Sequence, residues 1–118
     1  MKNGSGGIRS GILNLALLDV EELYACYMPF LKRGGLFIPT RKEFKLGDDV
    51  FVLLELVDET DKIPLAGKIV WVNPVAVSRN RKQGVGIEFT EEVSETLVPK
   101  IETLLAGLLS SDRPTNTL

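Results

Sequence analysis

Histidine is absent from this chain of 118 residues, and cysteine occurs once, at Cys26. Those two facts remove imidazole acid–base chemistry, Cys–His nucleophiles and the usual structural zinc sites. What remains is carboxylates, glycine-rich segments and one basic cluster. Gly4-Ser5-Gly6-Gly7 and Gly84-Val85-Gly86 have the composition of phosphate loops. Neither continues into a Lys-Ser/Thr pair or joins a strand to a helix, so they read as a flexible arm and a hairpin turn. Asp58, Glu59 and Asp61 lack the ordered alternation and central glycine of a calcium loop and read as a solvated hairpin tip. Paired carboxylates can hydrolyse without histidine, but no spacing here fixes two of them at catalytic separation. Arg79, Arg81 and Lys82 crowd a turn with no interleaved aromatic residue, which fits a solvated loop better than a nucleic-acid contact. Cys26 has no neighbouring base or resolving thiol and reads as a small packed residue. The expectation is a protein that is not an enzyme and carries no cofactor or metal.

The aromatic residues are Tyr24, Tyr27, Phe30, Phe37, Phe44, Phe51, Trp71 and Phe89. Most must lie in the core. Tyr and Trp also join a large apolar face to a polar handle, the combination preferred where a surface anchors another protein. For Tyr24 and Trp71, core packing and partner anchoring both stay open.

These residues need a scaffold, and the chain supplies turn signals and period changes that outline one. An apolar content of 44% with 25% charged residues suits a globular domain, and a net charge of −2 gives no pull toward nucleic acid or anionic lipid. Residues 1–10 hold three glycines and read as a flexible arm. The apolar run 11–18 is too short to span a bilayer, is interrupted by Asn14 and is followed by acids, so no signal peptide is expected and the cytoplasm is the expected location. Residues 12–18 are predicted as a strand, with Asp19 capping a short helix over 20–27. Gly34-Gly35 launches a strand ended by Pro39. Strands over 50–57 and 63–72 form a hairpin, and 85–89 alternates as a half-buried strand does. Leu97, Ile101, Leu104, Leu105 and Leu108 then recur at helical spacing. Pro99 is best tolerated in a first turn, which predicts Ser94 or Thr96 as N-cap and a helix running to about Leu109. Residues 110–118 read as a polar tail.

Several phrases together carry a family resemblance: Leu23-Tyr24-Ala25-Cys26-Tyr27-Met28-Pro29-Phe30, Gly34-Gly35-Leu36-Phe37-Ile38-Pro39-Thr40, Lys45-Leu46-Gly47-Asp48, Lys62-Ile63-Pro64-Leu65-Ala66-Gly67-Lys68 and Ser111-Asp112-Arg113-Pro114-Thr115. Over residues 11–109 the chain resembles the PilZ domain family, and within it the members that assist type IV pilus (fimbriae) assembly. The resemblance implies a mainly β fold, a small six-stranded barrel with a C-terminal amphipathic helix. Ligand-binding members of that family hold cyclic di-GMP with an Arg-x-x-x-Arg pair on the arm and an Asp/Asn-x-Ser-x-x-Gly turn. Here Phe30 and Lys32 stand at the two polar positions before Gly35. Arg9 is the only arginine ahead of Arg33, with Ser5 and Leu13 four residues to either side. The paired guanidinium forks that grip phosphate are missing. The pilus members imply an adaptor that binds the pilus extension ATPase (PilB) and an EAL-domain cyclic di-GMP receptor (FimX). In that setting Tyr24, Trp71 and the tail residues Ser111, Asp112, Arg113 and Pro114 are the expected protein-binding surface. The alternative is a cyclic di-GMP sensor with a non-standard site of Arg9, Lys32 and Arg33.

Overall fold

The computed structural model describes residues 11–74, 82–106 and 117. Seven elements follow in order: β1 (Ile12–Leu17), α1 (Val20–Cys26), β2 (Gly35–Pro39), β3 (Asp49–Leu56), β4 (Ile63–Asn73), β5 (Gly84–Phe89) and α2 (Glu91–Leu104). The strands make one curled, half-barrel sheet in the order β1-β3-β4-β5-β2. Only the β1–β3 pair is parallel.

Each strand expected from pattern is present. In β1, Leu13, Leu15 and Leu17 point into the core while Ile12, Asn14 and Ala16 face outward, the period-2 alternation of a strand with one wet face. The same alternation holds in β3, where Val50, Val52, Leu54 and Leu56 are buried. Cys26 is buried in α1, and Asp19 caps that helix by accepting a 2.8 Å hydrogen bond from the Glu22 amide.

Three expectations need correction. The described residues hold five strands, not six. An isolated antiparallel bridge, Tyr27 with Leu36, stands where a further strand would pair with β2. Pro29 follows two residues later, with no amide proton to extend a ladder, and the chain turns there. The run Gly84-Val85-Gly86 is not a hairpin turn: β5 starts at Gly84, one residue before the predicted strand, and holds both glycines. A Cβ on Gly86 would come within 2.8 Å of the Met28 sulfur, and one on Gly84 within 2.7 Å of the Phe37 ring. These glycines serve close packing across the sheet.

Helix α2 starts earlier than predicted. Thr90 is the N-cap, its Oγ1 accepting from the Val93 amide at 3.3 Å, so Pro99 lies well inside the helix. Both Pro99 and Glu95 are exposed, and the Glu95 carbonyl, which loses its donor to the proline ring, can turn to water. The helix stops at Leu104, with a turn over Leu105 and Ala106. Leu97, Ile101 and Leu105 are buried, as the helical spacing requires, whereas Leu108 falls outside the described residues. The arm with Arg9, the loop with Arg79 and Arg81, and the tail segment Ser111, Asp112, Arg113 and Pro114 also lie outside them. Thr117 is described and buried.

Candidate functional site

The Gly34-Gly35 turn is held almost wholly by backbone. Met28 N–H donates to the Gly35 carbonyl at 2.9 Å, Gly34 N–H to the Leu31 carbonyl at 3.0 Å and Phe89 N–H to the Gly34 carbonyl at 3.0 Å. The Arg33 amide reaches across to Glu88 Oε2 at 3.2 Å. Gly34 adopts φ +75°, a left-handed conformation that side chains oppose. A Cβ on Gly35 would be driven into the carbonyl oxygen of Ile87 on β5. Both glycines are therefore structural requirements of the turn.

Helix α2 backs this turn. A Cβ on Gly34 would lie 2.9 Å from a Val98 methyl, and the Tyr27 hydroxyl donates to Glu102 Oε2 at 3.3 Å. Burial first, and then the Glu102 carboxylate, hold the Tyr27 phenol protonated well above its ordinary range.

The tip of the turn differs from its base. Pro29, Phe30 and Lys32 are exposed, Phe30 at 44%. The Phe30 ring packs on Trp71, with centroids 5.9 Å apart and planes inclined by 54°. Two devices create that meeting. A register shift between Ile69 and Trp71 sets Trp71 opposite Gly86 instead of continuing the inward alternation. Gly86, lacking a side chain, admits Met28 beside the Trp71 Cβ, and Met28 leads directly into the tip that carries Phe30. The indole N–H donates to Asn73 Oδ1 at 2.8 Å, and Asn73 Nδ2 donates to the Lys82 carbonyl at 3.2 Å, which fixes the ring. Val72 beside it is 41% exposed.

Of the residues singled out from sequence, the structure brings Phe30 and Trp71 together, with Lys32 and Gly35 in the same turn. Tyr24 is buried at 8% exposure in α1. Arg33, a cation of the alternative ligand site, has its guanidinium 3.8 Å from Glu91. The Phe30–Trp71 contact was not readable from sequence, because it depends on the β-bulge. Among the described residues no cluster of three or more metal-ligating side chains occurs, and no helix is long and apolar enough to cross a membrane.

A half-barrel sheet, a glycine turn opening its edge strand and a closing helix define a class of small β domains. Residues 13–107 match the PilZ domain, and the chain belongs to that family. PilZ domains are non-catalytic regulatory or binding domains of cyclic di-GMP-related signalling. No curated protein matches the chain.

Proposed function

We propose that this chain is a non-enzymatic adaptor in type IV pilus biogenesis and twitching motility that does not itself bind cyclic di-GMP. Its partners in this reading are the pilus extension ATPase (PilB) and an EAL-domain cyclic di-GMP receptor (FimX), met in the cytoplasm. The observation that carries the reading is the exposed Phe30 ring at the tip of the turn, packed on the half-buried Trp71 of β4. Phe30 and Lys32 replace the polar pair that a dinucleotide would need there, and the rigid aromatic surface of Phe30 on Trp71 is what protein anchoring uses. The phrases shared with the pilus members, from Leu23 to Phe30 and from Ser111 to Thr115, support the same choice of partners.

Trp71 and Tyr24 are the proposed anchors, with Phe30 supporting the indole and the tail residues Ser111 to Pro114 completing the surface. Because Tyr24 is buried, its replacement disturbs core packing, and Trp71→Ala is the cleaner probe. Capture of the purified ATPase and EAL-domain protein by the wild-type chain, lost for at least one of them in Trp71→Ala at unchanged far-UV spectrum, is the expected result. Equal capture by the variant removes Trp71 from the interface. Against the sensor reading stands the engagement of Arg33 with Glu91, together with the lone Arg9.

A further inference from the structure

The outer face of the sheet carries a second apolar surface, distinct from the Phe30–Trp71 tip. Ile12, Phe51 and Ala66 are register neighbours across β1, β3 and β4, and Ile12 and Phe51 are 60% and 57% exposed. Large apolar side chains so open to water, in one row, are unusual for a surface with no binding role. Beside Phe51 and Ala66 lie two adjoining hollows of about 480 and 650 Å³, walled by the first turn of α2 from Thr90 to Val93. Together they form a groove with an apolar floor.

The rim of the groove is acidic. Asp49, Glu88, Glu91 and Glu92 line it, against two cations. Both cations are already matched: Lys68 lies 3.2 Å from Asp49, and Arg33 lies 3.8 Å from Glu91. A second copy of the chain would present the same acidic rim, and a two-fold contact would set like charges together. Three strands span about 10 Å across the sheet, which is about the diameter of an α-helix.

We propose that this groove docks an amphipathic α-helix of another protein, seated by its apolar face on Phe51, Ile12 and Ala66 and flanked by Lys or Arg facing Glu88 and Glu92. This is the helix-in-groove mode of recognition, with charge deciding orientation and partner. The groove does not depend on which proteins the glycine turn engages.

The test is titration of the full chain, followed by amide NMR, with a synthetic Leu/Lys peptide of about 18 residues whose leucines recur at helical spacing. A scrambled isomer and a Leu/Glu counterpart serve as comparisons. Saturable one-to-one binding with shifts centred on Phe51, Ala66 and Val93 is expected, weakened about tenfold or more by Phe51→Ser and by Ile12→Ser. Both substitutions fall on exposed side chains, so the fold is retained. Absent binding, shifts centred on Phe30 and Trp71, equal binding of the scrambled or acidic peptide, or self-association of the chain through Phe51 would each overturn the proposal.

Discussion

The base and the tip of the Gly34-Gly35 turn lie within six residues of each other and obey different rules. At the base, position is set by backbone: a left-handed Gly34, a Gly35 with no room for a side chain against Ile87, and amide bonds to Leu31, Met28 and Phe89. At the tip, Phe30 and Lys32 face solvent, and Phe30 packs on Trp71. Geometry here is carried by residues that have no side chain, and in the proposed reading what the turn binds is decided by the side chains at its tip.

The strongest way to break this contrast is Gly35→Ala. The added methyl cannot coexist with the present β2–β5 pairing, so a loss of about 3 kcal/mol or more is expected, or failure to fold. That corresponds to a melting temperature lower by roughly 12 °C or more. An unchanged melting curve would mean that β2 and β5 do not approach as described. Trp71→Ala comes next in size. At the tip it should reduce partner affinity by about tenfold or more, a hot-spot loss of ~1.4 kcal/mol or greater, measured by titration with the ATPase.

Tyr27→Phe tests the clamp behind the base. Removing the hydroxyl forfeits its bond to Glu102, a cost of about 1 kcal/mol in chemical denaturation near neutral pH. The phenol's pKa is raised on folding, so its contribution is fully present below about pH 10, the unfolded value, and is lost as the pH climbs above it. Wild-type stability should therefore fall more steeply than that of Tyr27→Phe in alkaline solution, and parallel pH curves would assign the raised pKa no role in stability. The smallest effect belongs to Phe30→Asp combined with Lys32→Ser. Placing the family's residues at these two exposed positions gives up the Phe30–Trp71 ring contact and should shift stability by less than ~1 kcal/mol. It should also leave cyclic di-GMP unbound, because the paired arginines are still missing; recovered nucleotide binding would show that the tip alone decides the ligand.

Much of this molecule was legible in its sequence, for local reasons. The five strands, the Asp19 cap and the buried stripe of α2 each follow from apolar runs bounded by turn residues, from capping or from helical spacing within a few residues. The misreadings have non-local causes. Thr90 caps α2 because β5 ends at Phe89, and a proline that local rules place in a first turn is accepted further in where its helix face meets water. Gly84 and Gly86 look like turn residues until Phe37 and Met28 are seen to fill the space they leave. In β3 the unbroken run Val50-Phe51-Val52-Leu53-Leu54 conceals which face is wet, so the exposure of Phe51 had no signal. At the candidate site, the departures at Phe30 and Lys32 could be read directly, whereas the contact of Phe30 with Trp71 required the bulge at Val70 and the gap at Gly86.

The claim that the turn has exchanged a nucleotide for a protein is tested most directly by calorimetry on one preparation of the full chain, titrated separately with cyclic di-GMP and with the purified pilus extension ATPase. No heat of binding with the dinucleotide and saturable binding of the ATPase, weakened by Trp71→Ala, is the expected outcome. Micromolar or tighter binding of cyclic di-GMP, with the ATPase unbound, would contradict it.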